Sequence, residues 1–263
     1  MDPIVILIGI VMFVALVGMI ICSKKQKTNP NAQPLAIALL IIVIICGIAM
    51  MFKTGLLGGG GVERFREIEN RYYASQGFVV GSFIKKNMPK AKILVIAEQN
   101  FQKNKRVQAL VEELKSSLGP KVSVKVDTVK LPKKPKDKKN PPEMMMDMPL
   151  YELMTPADFD VTIDKYPTCN VIISLIGLPR NASKLGLWRK SESTRPKMIL
   201  VGPADMSGLG KAIERGLIAA VVVMNPDAKF TEEAPPADQK KTFDLRYLLI
   251  DKKNLKKNTN TLR

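Results

Sequence analysis

The stretch Lys197-Met-Ile-Leu-Val-Gly-Pro-Ala-Asp-Met-Ser-Gly-Leu-Gly-Lys-Ala-Ile-Glu-Arg-Gly-Leu-Ile-Ala-Ala-Val-Val-Val-Met224 decides the fold class. Its two ends, 197–201 and 219–224, are short, almost wholly apolar runs, which is the pattern of strands buried on both faces. Between them 207–217 reads as a helix with Ser207 in position to cap it. Two such strands joined through a helix form a parallel crossover unit, and that crossover is right-handed.

The same alternation extends in both directions. Residues 92–97 read as a buried strand. Residues 105–118 read as a helix with Val107, Leu110, Val111 and Leu114 on one face, ended by Gly119-Pro120. Residues 122–129 alternate as a strand with one solvated face. Residues 155–166 read as a helix in which Thr155 is the N-cap, Pro156 the first helical residue and Asp158 the third. A third strand is expected at 171–176, and a sixth, at a sheet edge, over 244–250. An opening helix spans 62–87, where Phe65, Ile68, Tyr72, Val79, Val80 and Phe83 recur at spacings near three and four. Its acids, Glu63, Glu67 and Glu69, sit near the start, and Lys85 and Lys86 near the end, as the helix dipole favours. The pattern predicts one α/β domain over 62–251 with a doubly wound, mostly parallel, Rossmann-like sheet of five or six strands.

Ahead of this domain lie two uncharged apolar runs, 4–22 and 35–52, the two halves of a helical hairpin over 1–53. At about 1.5 Å per residue the first spans roughly 28 Å, the thickness of a bilayer core. Neither run has a polar face, so both read as transmembrane helices anchored in the lipid bilayer. A cleaved signal peptide needs a basic start and a small-residue cleavage site. The chain starts Met1-Asp2-Pro3, and Cys22 and Cys46 each follow an isoleucine, unlike a lipoprotein signal. Lys24, Lys25 and Lys27 lie in the loop between the runs. The positive-inside rule then puts that loop in the cytoplasm and the α/β domain outside a plasma or inner membrane, although Arg64, Arg66 and Arg71 pull the other way.

Residues 54–61 include four consecutive glycines and read as a linker. Residues 131–149 interrupt the domain with Lys133, Lys134, Lys136, Lys138 and Lys139, several prolines and the cluster Met144 to Met146. Such a segment reads as a basic loop able to contact anionic lipid or an acidic protein electrostatically. Residues 228–241 read as a second loop, and 252–263 as a basic, frayed tail.

The net charge is +17, but the interleaving of arginine with aromatic residues that marks nucleic-acid binders is missing, so no specific nucleic-acid binding is expected. The chain has no histidine, which excludes serine and cysteine hydrolases of the His-dependent kind. No carboxylate pair, metal-ligand spacing or nucleotide motif is present, so neither a catalytic residue nor a cofactor is expected. Ligands of open α/β sheets bind beyond the C-terminal ends of the strands. The candidate crevice residues there are Glu98 and Asn100, Arg180, Asp205, Ser207, Gly208 and Gly210, and Asn225. The backbone N–H groups of 207–210 are the candidate anion holders, with a plain Ser207 cap as the simpler reading. Counting back from Lys211, the first glycine of a phosphate-binding loop would fall on Asp205, and Ala212 stands where its Ser/Thr should be. Asn181-Ala182-Ser183 matches a glycosylation sequon.

Residues 211–226, Lys-Ala-Ile-Glu-Arg-Gly-Leu-Ile-Ala-Ala-Val-Val-Val-Met-Asn-Pro, resemble the helix–Gly–strand–Pro unit of the type I periplasmic sugar-binding and LacI-like fold. The resemblance implies a sheet of that kind. The chain has room for one such lobe rather than two. Two functions follow as expectations. The first is a non-enzymatic, membrane-anchored interaction or scaffold domain in an envelope assembly. The second is a single-lobe small-molecule sensor or transport accessory. A filled crevice favours the first; an open one lined by Glu98, Arg180 and Ser207 favours the second.

Overall fold

A computed structural model of the chain describes residues 3–25, 32–53, 60–130, 150–202, 206, 208–228, 230–231 and 233–262. It divides into two parts, residues 1–67 and 68–263.

In the first part α1 (Pro3–Lys25) and α2 (Ala32–Lys53) form an antiparallel hairpin. Gly18 faces Leu39 and Gly9 faces Met50, and a Cβ on Gly18 would come within 3.0 Å of the leucine. Both helices are long and apolar enough to cross a bilayer. Among the described residues of the pair, Ala15 alone is buried; most of the isoleucines, leucines and valines are exposed, and the rest, such as Leu39, are half-buried.

The second part is built on a six-stranded sheet. The helix α3 (Gly60–Asn87) leads into β1 (Ile93–Ala97), α4 (Lys105–Leu118) and β2 (Val124–Thr128). The short α5 (Leu150–Leu153) and α6 (Pro156–Asp164) precede β3 (Val171–Ser174) and β4 (Lys197–Val201). Then come α7 (Leu209–Glu214), β5 (Ile218–Met224), α8 (Gln239–Arg246) and β6 (Tyr247–Asp251). The strand order is β2-β1-β3-β4-β5-β6. The first five are parallel, and β6 closes one edge antiparallel to β5.

Successive side chains of a strand point to opposite faces, so the central strands β1, β3, β4 and β5 each feed two cores. Val95, Ile173, Ile199, Ala220 and Val222 meet α3, α4 and Phe243 of α8 on one face. Leu94, Ile96, Ile172, Met198, Leu200 and Val221 meet Phe159 and Ile163 of α6, Leu185 and Leu187, and Leu209 and Ile213 of α7 on the other. Burial on both faces is why these strands read as unbroken apolar runs rather than alternating ones.

Helices α3 and α4 cross at very short range. A Cβ on Gly77 would lie 2.1 Å from the Leu110 carbonyl oxygen, and one on Gly81 would lie 1.8 Å from Ser117 Oγ. Two glycines four residues apart on one face of α3 therefore set how closely α4 sits.

Local chemistry defines several ends. Thr155 and Asp158 form a reciprocal capping box at α6. Asn104 caps α4 by accepting from the Arg106 and Val107 N–H groups. After α7, Gly216 takes φ 69°, and the Leu217 N–H donates back to the Ala212 carbonyl, turning the chain into β5. This turn is the glycine of the helix–Gly–strand–Pro pattern.

Six expectations are corrected. The linker read over 54–61 does not reach 61: Gly60 and Gly61 open α3, and 54–59 lie outside the described residues. The residues 244–246 belong to α8, not to the last strand: Asp238 accepts from the Lys241 N–H and starts a helix whose Thr242, Phe243 and Arg246 are buried together. Helix α7 is shorter than 207–217 and has Gly208, with φ 75°, at its N-cap position; Ser207 lies outside the described residues. The third strand stops at Ser174, whose hydroxyl donates to the Gly177 carbonyl at 2.5 Å and bends the chain out of the sheet. The second loop ends before Gln239, where α8 begins. The C-terminal segment is not frayed: Leu255–Leu262 forms two 3-10 turns joined at a kink at Asn258, with Leu262 buried and Leu255 packed in the α6/α7 core. Residues 131–149, with the five lysines of the basic loop, lie outside the described residues.

Candidate binding site

The residues that follow the strands are held by local bonds. Glu98, after β1, accepts from the Asn104 side chain at 2.6 Å and so braces the start of α4. Asn100 sits in a left-handed turn with φ 65°. Arg180 is exposed, beside the left-handed Asn181 that begins a short 3-10 turn. Asn225 anchors the turn after β5: its N–H donates to the Arg246 carbonyl at 2.8 Å, and its side chain accepts from the Asp227 N–H. Gly208 and Gly210 open α7, which is only six residues long. Asp205 lies outside the described residues, as Ser207 does.

A cavity of ≈ 340 Å³ opens beyond the C-terminal ends of β3, β4 and β5, on the α3/α4 face of the sheet. Leu175, Val201 and Gly202 lie along its floor with Val222 and Met224; Tyr73 and Gln76 of α3 and Val107 and Leu110 of α4 form one wall, and Tyr247 and Met206 complete the rim. Glu98, Arg180 and Asn225 are not among the lining residues. The cavity is therefore at the expected end of the sheet but is built mainly by the helices over it. Reading strand ends alone misses Tyr73, Gln76, Val107, Leu110 and Tyr247. The one signal available in the sequence is the pair Tyr73 and Gln76, one turn apart and next to Gly77.

None of the described lining residues carries a charge. Their polar side-chain groups are the hydroxyls of Tyr73 and Tyr247 and the amide of Gln76. Burial pushes the Tyr247 hydroxyl up to about 12, against a hydrogen bond from Gln76 and the nearby Arg246, which pull it down. The phenol is thus a neutral donor throughout the physiological range. Arg106 lies 5.8 Å from the centre of the Tyr73 ring.

Behind this wall a buried ion pair fixes α3 to α8. Arg246 reaches Glu69 and is stacked between the Tyr72 ring, at 3.5 Å, and the Phe230 ring, at 4.9 Å. Arg71 donates to the Pro236 carbonyl at 2.8 Å from the same helix. These contacts tie α3, the helix that carries Tyr73 and Gln76, to α8 and the segment before it.

Among the described residues no three His, Cys, Asp or Glu side chains come together. Cys169 lies elsewhere, and burial pushes its thiol up against the opposing pull of Lys125 and Lys92, so it stays protonated. A cavity of this size lies at the small end of ligand sites.

No family model matches the chain, and no curated protein matches it. Solved structures do resemble it in fold. The glucose-galactose binding protein GanP from Geobacillus stearothermophilus is 16% identical, with 70% of this chain and 61% of that one covered and a TM-score of 0.43. A carbohydrate transporter from Acidothermus cellulolyticus 11B, in complex with myo-inositol, is 10% identical over 72% and 60%, with a TM-score of 0.43. A sugar-binding protein of a sugar ABC transporter from Bacillus halodurans is 13% identical over 71% and 63%, with a TM-score of 0.42. The chain spans about three fifths of the length of these structures. At such identities the likeness is one of fold, and it agrees with the resemblance read from residues 211–226.

Proposed function

We propose that this chain is a membrane-anchored binding module rather than an enzyme, and that its α/β domain takes a small, mainly apolar ligand in the crevice above β3, β4 and β5. The observation that carries the reading is the ≈ 340 Å³ cavity itself, open at the end of the sheet where α/β folds bind ligands. A scaffold role has no need of such an opening. The described part of the cavity lining is apolar apart from Tyr73, Gln76 and Tyr247, and this favours an apolar ligand over a sugar in this reading. The helices α1 and α2 act as the anchor in this reading, because helices apolar on every side need an apolar medium around them. The lysines in the loop between them favour the domain lying outside the cell membrane. The lysine-rich segment 133–139 would add electrostatic contact with anionic lipid or an acidic protein.

The test is thermal denaturation of the full chain in a neutral detergent, titrated with indole, benzyl alcohol and D-glucose. Indole and benzyl alcohol should raise the transition temperature saturably, and glucose should not. Val107 is half-buried at the cavity wall, so Val107→Trp fills the opening without altering the sheet and should abolish the shift. Equal shifts in the wild type and in Val107→Trp would refute the assignment; a response to glucose alone would refute the apolar specificity.

A further inference from the structure

A second cavity lies at the opposite end of the sheet, where the strands begin. It measures ≈ 360 Å³ and is lined by Met88, Pro89, Lys90 and Ala91, by Asn170 and Val171, and by Glu192, Ser193, Arg195 and Lys197. Its floor is apolar: Val171 and Ala91 belong to the α3/α4 core. Its rim carries three cationic side chains and one carboxylate.

Two features distinguish this rim from an ordinary solvated surface. First, its backbone is locked. The Asn170 side chain donates to the Lys90 carbonyl at 3.2 Å and accepts from the Lys92 N–H at 2.8 Å. The Lys197 N–H donates to the Asn170 carbonyl at 2.9 Å. On the other side the Arg195 N–H closes a turn onto the Ser191 carbonyl at 2.9 Å, and the Ser191 hydroxyl bonds those of Ser193 and Thr194. Second, its cations are unmatched. The ion pairs among the described residues join Arg66 to Glu63, Lys165 to Asp127, Lys190 to Asp164, Lys240 to Asp244 and Arg246 to Glu69. None involves Lys90, Arg195 or Lys197. Arg195 and Lys197 are half-buried, so part of their hydration is removed, and no carboxylate among the described residues, Glu192 included, lies within ion-pairing distance of them.

A rigid hollow with an apolar floor and unmatched cations at its lip is complementary to a compact anion carrying a short apolar body. We propose that this hollow binds such an anion, an aryl or alkyl phosphate or carboxylate, with Arg195 and Lys197 holding the charged end, Lys90 adding attraction and Ala91 and Val171 receiving the body. Arg195 offers a planar fork suited to two oxygens of one anionic group, and Lys197 a point charge beside it. Glu192 opposes the anion and sets an upper limit on affinity. The site lies at the other end of the sheet from the crevice and does not rest on the function proposed for it.

The experiment is equilibrium dialysis of the full chain in neutral detergent with phenyl phosphate as probe, and phenol and inorganic phosphate as comparators. Phenyl phosphate should bind saturably and more tightly than either comparator, and binding should weaken in 0.5 M NaCl. The double variant Arg195→Gln/Lys197→Met should weaken it by about tenfold or more, since two charge-assisted contacts are lost. Glu192→Gln should tighten it by about threefold, the scale of one exposed charge pair, an increase that a misfolded variant cannot mimic. Val107→Trp, which fills the other cavity, should remove phenol bound there and leave the salt-sensitive phenyl phosphate binding unchanged. Phosphate binding as tightly as phenyl phosphate, an unaltered affinity in the double variant, or a Glu192→Gln variant no tighter than wild type would each overturn the proposal.

Discussion

Replacing Gly77 by alanine sets two effects of known sign against each other. Alanine in a helix is favoured over glycine by about 1 kcal/mol. Against this, the new Cβ would lie 2.1 Å from the Leu110 carbonyl oxygen, 2.9 Å from the Leu114 nitrogen and 3.0 Å from the Leu110 carbonyl carbon. All three are backbone atoms of α4, so no side chain can swing aside, and the helices must separate by roughly 1 Å to reach ordinary contact. A gap of that size forfeits a quarter to a half of each atomic attraction across the interface. Leu110, Val111, Leu114 and Leu118 all lie in the core that α4 shares with α3. At about 0.7 kcal/mol lost for each of the four, packing costs near 3 kcal/mol, within the usual range for an overfilled core. The net destabilisation is about 2 kcal/mol, or roughly 4–8 °C in Tm for a domain of this size. The assay is chemical and thermal denaturation of the full chain in detergent, with Ser82→Ala, exposed on the same helix, reporting propensity alone. Because Tyr73, Gln76, Val107 and Leu110 line the crevice, the same variant should also change the response to indole. A Gly77→Ala protein as stable as Ser82→Ala, or more so, would refute the close-crossing argument.

Two further outcomes follow from buried groups. The Tyr247 hydroxyl, raised to about 12 in the folded protein from the ordinary tyrosine value of 10.0, ionises earlier in the unfolded chain; the stability held by its neutral form is complete below pH 10 and is lost as pH rises towards 12. Denaturation between those values should therefore fall about 2–3 kcal/mol more steeply for wild type than for Tyr247→Phe, and identical slopes would show that the phenol is not buried. Leu262→Ala should cost about 2–4 kcal/mol because the side chain is 6% exposed in the α6/α7 core; an unchanged denaturation midpoint would mean that the C-terminal segment is frayed after all.

Much of the fold was legible because its signals are local. Helix α4 runs over the predicted 105–118, bounded by Asn104 and Gly119, and Thr155 caps α6 through chemistry that needs only four residues. The apolar strands β1, β3, β4 and β5 announced burial on both faces. The boundary near 244 was misread because Leu248 to Ile250 is apolar and drew the strand back over Asp244 to Arg246. The Asp238 cap and the Lys240–Asp244 pair, one turn apart, were the helix signals there. The C-terminal segment looked merely basic, since Leu255 and Leu262 stand seven residues apart among polar neighbours and reveal a face only once α7 is beside them.

The sequence by itself determined the two apolar helices, the alternating strands and helices, a mainly parallel sheet and the lack of histidine-based chemistry, because hydrophobic periodicity, capping and composition act within a few residues. The tertiary structure alone decided where the hollows lie. One joins Tyr73 to Tyr247 across the sheet, the other joins Lys90 to Arg195 and Lys197, and the Gly77 crossing brings α4 against α3. Each depends on strand order and on which helix covers which strand, and these are settled by packing between residues far apart in the chain, where no local pattern records the partner.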